Sequence, residues 1–480
     1  MVKTKVISLL QKNWPLLIIL ILAAFFRLYR INDYMEFLGD QGRDVVIVRD
    51  FLKNGNLFFI GPQTSIGNMY LGPFYYYLFV APGLILTWFN PVGPSIVVAA
   101  LGVLTVYLIF KFSQTWFGSK TAYLAAILYT ISPVVIKYSN FSWNPNVMPL
   151  FALLFIYFMT KSRYVLASLS FIICLNSHFL ALLLLPPAAL IFLFDKSKKI
   201  KPILLAILIF ILSLTPQILF DFKHNGQNIK AITSFFAYRE TTVNLKPYKA
   251  IPFLPQLFNQ INTRLLAGKN EQFGIVVSVV FALLLIIEIF KQIKTKKYNF
   301  PFISLLSWLA VGITGLALYK QHIYDHYFGF LFPVVFIIFS YLLAKLPRIL
   351  IIISLVLLTI FSILENPFRW SPPRQLTTTQ QIVTSIIQES NRQPLNFSLL
   401  AKMNYDPGYR YFLSESNVPV ELLQNKITDQ LFVVCEPFQM DCQPINHPEW
   451  SIAAFGWAKI DKQWEINGIK VFKLSHTQGK

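Results

Sequence analysis

Residues 274–287 read GIVVSVVFALLLII, an apolar run in which Ser278 is the lone polar side chain. Comparable runs stand at 14–26, 202–212 and 349–364. Each approaches or reaches the ~20 residues that cover a hydrocarbon core. The whole chain is 55% hydrophobic and 13% charged over 480 residues, whereas soluble domains carry roughly a quarter charged residues. The surplus apolar side chains must face lipid, so the expected fold class is an α-helical polytopic membrane protein.

A net charge of +20 raises nucleic acid as a partner, because basic stripes neutralise phosphates. Here the cations sit in short clusters between hydrophobic runs, which makes them a topology signal and argues for no nucleic acid. Cytoplasmic loops are enriched in Lys and Arg. That rule assigns 1–12, 111–120, 161–163, 195–201, 291–297 and 345–348 to the inside. The spans between them run over 13–31, 95–112, 119–137, 147–160, 164–178, 179–194, 202–220, 272–290, 300–319, 326–344 and 347–364, about eleven transmembrane helices. The N-terminus is then cytoplasmic and the C-terminal tail extracytoplasmic. The first apolar stretch lacks a small-residue cleavage site and is followed by Arg27 and Arg30, so it reads as a retained helix, not a signal peptide.

One apolar stretch, 74–89, does not fit as a span, since a further crossing would put Lys111 and Lys120 outside and flip every later loop. It is expected to lie in the interface or re-enter, with a short true span as the alternative. Tyr75, Tyr76 and Tyr77 suit the headgroup level, and Pro82-Gly83 interrupts the stretch midway.

The domains expected are a membrane domain, 1–364, whose outer loop 32–94 carries juxtamembrane helices, and a small α/β extracytoplasmic domain, 365–480. Further outer segments are 138–146, 221–271 and 320–326. Within the tail, 377–390 reads as an amphipathic helix, 395–400 and 431–434 as strands, and 464–474 as a hairpin around Asn467-Gly468. Cys435 and Cys442 form a disulfide if they face an oxidising compartment, or stay as two free thiols.

The first outer loop is the most informative. Gly39-Asp40-Gln41-Gly42-Arg43-Asp44 opens a helical pattern in Val45, Val46, Val48, Phe51 and Leu52, placing Asp40, Arg43 and Asp44 on one face. An interfacial acid one turn from an arginine can be held ionised and aimed at a substrate hydroxyl as a general base. The bland alternative is that Asp40 caps the helix and pairs with Arg43. No outer loop offers a compact carboxylate and histidine cluster with ligand spacing, so no metal site is expected. His178, beside Asn176 and Ser177, reads as a packed polar residue.

The order of these elements resembles the GT-C class of membrane glycosyltransferases, in particular the family 39-like branch of protein O-mannosyltransferases and the aminoarabinose transferase of lipid A. The resemblance covers roughly 14–345 and is strongest in the first 150 residues. Asp40 falls on the family's catalytic acid and Arg43 on a basic residue three positions later. Departures are Gln41 where many members carry a second acid, Leu71 in place of a phosphate-contacting lysine in Leu71-Gly72-Pro73-Phe74-Tyr75-Tyr76, and Asn146 in place of another acid. Asn146 can still hydrogen-bond a sugar or orient Asp40. Asp221-Phe222-Lys223-His224 and Lys320-Gln321-His322-Ile323-Tyr324-Asp325-His326-Tyr327 resemble places where relatives bind the lipid phosphate. Contact with bulk phospholipid headgroups is the competing reading.

The resemblance implies a polyprenyl-phosphate sugar as donor, no cofactor, and an acceptor hydroxyl on a protein, glycan or lipid. Asp40 is then the catalytic base of an inverting transfer. Arg43, Asp44, Asn146, Lys223, His224, His322, Tyr324 and His326 are the substrate and phosphate contacts. It also implies a multi-pass protein of a bacterial plasma membrane, in contact with membrane lipids. A transporter or flippase for a lipid-linked or anionic substrate is the rival from another class, because charged residues near the membrane also mark transport pathways. Against it, the spans are nearly free of acids, the ionisable residues gather at outer ends, and no inverted repeat is evident.

Overall fold

The computed structural model describes residues 2–238, 241–436 and 442–477, with side chains from residue 14 onward. Two compact units emerge. The larger gathers Met1–Tyr29, Leu57–Phe79 and Ser95–Ser371; the smaller gathers Arg30–Asn56, Val80–Pro94 and Pro372–Lys480.

The larger unit is helical. Five described helices are long and apolar enough to cross a membrane: Val92–Phe117, Ile200–Lys223, Glu271–Thr295, Phe300–Ala317 and Asp325–Leu343. Shorter apolar helices include Trp14–Leu28, Asn144–Thr160, Tyr164–Ser177, Phe179–Phe194 and Arg348–Leu364. Two strongly apolar helices show how position is decided by neighbours. Every residue of Phe332–Leu343 is buried, so it is the centre of the bundle. No residue of Ile200–Ser213 is buried, which leaves the same kind of surface for lipid.

Prolines cut several of the expected spans. The expected 119–137 stretch is two helices, Ser119–Ile131 and Pro133–Lys137; Pro133 has no N–H to continue the ladder. Ser132 at the break donates its hydroxyl to the Leu265 carbonyl at 2.8 Å. The expected interruption at Pro82-Gly83 is absent. Residues Tyr76–Val80 form a π-helix that passes into the α-helix Ala81–Leu86 with Pro82 in its first turn, where a missing N–H costs nothing. At roughly 1.5 Å per residue, Tyr76–Leu86 is far shorter than a ~30 Å hydrocarbon core. Just past it, Trp88 is 91% exposed.

In the smaller unit, strands β1 (Asn396–Leu400), β2 (Gln430–Cys435), β3 (Ala458–Ile466) and β4 (Ile469–His476) form one sheet in the order β1-β2-β4-β3. The β1 and β2 pair is parallel and the other pairs antiparallel. The hairpin at Asn467-Gly468 is as expected: both residues have positive φ, 51° and 82°, as a two-residue type I′ turn requires. One face of the sheet packs Phe397, Phe432 and Val434 on Ile382, Val383 and Ile386 of the helix Gln375–Glu389. Leu400, Val433 and Leu474 pack with Ile452 and Phe455 on the other. Cys435 and Cys442 are paired as a disulfide.

This unit reaches beyond the expected 365–480. The Phe37 amide donates to Gln375 Oε1 at 2.8 Å and the Arg374 amide to the Asp33 carbonyl at 2.9 Å. The helix Gly39–Asn54 packs against Pro407–Leu413 of the tail. Backbone donors satisfied across so long a sequence separation make part of the first outer loop one body with the tail.

Candidate active site

In the smaller unit, Leu38 is extended and Gly39–Asn54 begins at the next residue. The Gln41 side chain accepts from the Leu38 amide at 2.9 Å, satisfying a helix-terminal donor in the manner of a capping box. Gln41 is therefore a structural cap. Asp40 sits in the first turn, where the positive end of the helix dipole favours a carboxylate.

Arg43 forks between two acids. Its NH1 meets Asp40 Oδ1 at 2.9 Å, while NH2 and Nε meet Asp44 Oδ1 at 2.7 and 3.0 Å. The Asp44 side chain is 1% exposed and that of Asp40 37%, so Asp44 anchors the guanidinium and Asp40 meets solvent. Tyr405 of the tail donates its hydroxyl to Asp40 Oδ1 and accepts from Arg43 NH1 at 3.3 Å. Burial first, then the Asp40 hydrogen bond, raises the Tyr405 hydroxyl above the usual phenol range. It stays protonated and acts as a donor.

In the larger unit, a cavity of about 1180 Å³ is walled by Lys137, Arg264, Lys320, His322 and Tyr324, with Asp325 and Glu271. The helix Leu254–Leu265 buries Leu257, Ile261 and Leu265, which repeat every four residues, and Arg264, three residues after Ile261 and seven after Leu257, lies at the edge of that stripe. Arg264 Nε donates to Asp325 Oδ1 at 2.8 Å and its NH2 pairs with Oδ2, a bidentate fork. The hydrogen bond to Asp325 raises the Arg264 pKa. Lys269 is lowered, chiefly by burial and then by Arg264. His322 and Tyr324 meet edge to face at 4.5 Å.

An apolar groove of about 570 Å³, lined by Leu254, Phe258, Ile275, Val279, Leu306 and Ile313, shares Asn259 with this cavity. A second polar cavity, about 610 Å³, is lined by Asn68, His224, Lys230 and Tyr238 and shares Tyr319 and Gln321 with the first.

The expected residues thus fall into separate places. Asp40, Arg43 and Asp44 form one cluster. His322 and Tyr324 share the large cavity. His326 is set among rings, 4.5 Å from both Trp143 and Tyr327. His224 lines the second cavity, stacked on Phe220 at 4.1 Å, and Lys223 is exposed at its helix end. Asn146 is buried and donates to the Phe141 carbonyl at 2.9 Å; its Oδ1 has no partner among the described residues. Sequence reasoning missed Tyr405, Arg264 and Lys137. For Arg264 the available signal was an arginine flanked by apolar residues four apart. Among the described residues no group of three His, Cys, Asp or Glu side chains could hold a metal ion.

Residues 72–220 match the family model of dolichyl-phosphate-mannose-protein mannosyltransferases, a match that begins after Asp40. No curated protein sequence matches the chain. Among solved structures, ArnT from Cupriavidus metallidurans bound to undecaprenyl phosphate superposes with a TM-score of 0.63 at 11% identity, covering 96% of this chain and 98% of that one. Its apo state gives 0.60 at 12%, covering 98% of each. The Archaeoglobus fulgidus oligosaccharyltransferase in complex with Zn and sulfate gives 0.50 at 13%, covering 85% and 62%.

Proposed function

We propose, from a chain whose fold is that of the GT-C glycosyltransferases, that it moves a sugar from a polyprenyl monophosphate to an acceptor hydroxyl at the outer face of the membrane. One observation carries the reading: a cation-rich cavity and an apolar groove meet at Asn259. A polyprenyl phosphate is such an object, a charged head on a long apolar tail. The ArnT structure with undecaprenyl phosphate is a relative in fold that holds a lipid of this class.

The chemistry asks for two things. As the acceptor oxygen attacks the anomeric carbon, its proton needs a base, and Asp40 is the carboxylate that meets solvent. As the sugar–phosphate bond breaks with inversion, the electron pair leaves on phosphate. Arg264, Lys137, Lys320 and His322 supply the neutralising donors. Arg43, engaged with both Asp40 and Asp44, holds the base and leaves the phosphate to the cavity. The reading needs no cofactor, and it leaves protein, glycan and lipid acceptors open.

The test incubates membranes containing the full chain with a panel of tritiated polyprenyl-monophosphate sugars and follows label leaving the lipid. Release by the native chain, lost in Asp40→Asn with lipid binding retained, is the expected result. Donor that reaches the other leaflet intact would point to a flippase and overturn the proposal.

A further inference from the structure

Tyr405 stands 365 positions from Asp40 in sequence, yet the contact between them is built and not incidental. Gly39 and Gly42, three apart on one face of Gly39–Asn54, are the places where the tail comes closest. A Cβ on Gly39 would run into the Tyr405 ring, and one on Gly42 into the Gly408 backbone. Only residues without a side chain permit so close an approach.

The tail's grip continues on both sides of the tyrosine. The Gly39 amide donates to Asn404 Oδ1 at 2.7 Å. Asn404 Nδ2 donates to Glu436 Oε1, also at 2.7 Å, and Glu436 accepts from the Tyr409 hydroxyl at 3.0 Å. Glu436 directly follows β2, so the segment bearing Tyr405 is moored to the sheet. Further along the helix, Arg49 donates to the Tyr411 carbonyl at 2.8 Å and Lys53 pairs with Glu415 at 3.2 Å. Tyr405 is therefore held at Asp40 by ordered structure before and after it. Its phenol is kept protonated, and both it and Arg43 address Oδ1.

We infer that Tyr405 is a positioning residue for Asp40: its hydroxyl, with the Arg43 guanidinium, fixes the carboxylate orientation from which the acceptor's proton is taken. The tail then supplies part of the acid centre. Tyr405 gives up no proton in the cycle; it acts by holding, as the partners that orient a reacting group do in pre-organised sites. This inference rests on the transfer reading for its kinetic arm.

The experiment compares the full chain with Tyr405→Phe, which keeps the ring over Gly39 and removes the hydroxyl. With the tritiated polyprenyl-phosphate sugar that the native chain uses, kcat should fall about tenfold, the loss of one charge-assisted hydrogen bond, with donor KM unchanged. In an Asp40→Asn background the same substitution should cost nothing more, because the group it serves is gone. A full additional loss there would overturn the inference. A second arm is independent of turnover: coupling of glycine ethyl ester to carboxylates by a water-soluble carbodiimide, read by mass spectrometry. Asp40 should be labelled several-fold faster in Tyr405→Phe while Glu415 is unaffected; equal labelling of Asp40 in both proteins would overturn the inference. A native chain silent with every donor would sink the transfer reading, and the labelling arm would still decide this one.

Discussion

Two arginines, each forked onto carboxylate, keep different company. Arg43 divides itself between Asp40 and Asp44, the first partly exposed and the second buried. Arg264 takes both oxygens of Asp325, and Lys137, Lys320 and His322 share its cavity wall with the single further acid Glu271. One arginine is spent holding a carboxylate in place. The other belongs to a wall that also holds Lys137, Lys320 and His322. Under the proposed reading the same kind of ion pair serves proton chemistry in one unit and phosphate chemistry in the other, and what distinguishes them is the neighbours.

Breaking the acid cluster should have the largest effect. Asp40→Asn keeps the shape and removes the base, and release of labelled sugar should fall at least about a hundredfold, the usual contribution of a positioned base. Loss of donor binding in place of turnover would move Asp40 out of the chemistry. Next comes the support of that cluster. Gly42→Ala forces a methyl group into the Gly408 backbone, at a cost of about 2 kcal/mol for overpacking. A lower Tm and faster proteolysis of the tail are expected, and an unchanged melting curve would show the contact to be soft.

The cavity should respond differently. Arg264→Lys keeps charge but loses the fork. Donor KM should rise about tenfold, or about 1.4 kcal/mol, with kcat much less affected; a pure kcat loss would place Arg264 with the reacting atoms. The smallest effect tests burial alone. Tyr411 donates to the Phe89 carbonyl at 2.5 Å, and burial pushes its hydroxyl up to about 12. An unfolded tyrosine titrates near 10. Its contribution to stability is therefore complete below about pH 10 and disappears as pH rises through 12. Tyr411→Phe should flatten that decline in Tm by a few degrees, measured between pH 10 and 12.

The difference in wiring also explains what could be read in advance. Asp40, Arg43 and Asp44 are neighbours on one helix, so a spacing of three or four residues announces them. Hydropathy announces helices in the same local way, and Asn467-Gly468 announces its hairpin. The large cavity draws on Lys137, Arg264 and the 320–325 segment, which no short-range pattern connects. His322 and Tyr324 were found only through a motif resemblance, and no motif drew attention to Arg264. Tyr405 was invisible for the same reason: its partner lies at the other end of the chain. The unbroken helix over Pro82-Gly83 teaches a further point. A proline interrupts only where its missing N–H was needed, and at the first turn after a π-helical segment it was not.

Trp88 leaves one more consequence. Its indole, 91% exposed, stands beside Leu86 and Ile85, which are also bare. Indoles settle at the level of lipid headgroups. These side chains belong to the smaller unit, and a tail produced alone from residue 372 would lack both them and the glycine-faced helix on which Pro407–Leu413 rests. Purified in that form, it should be sticky and short-lived.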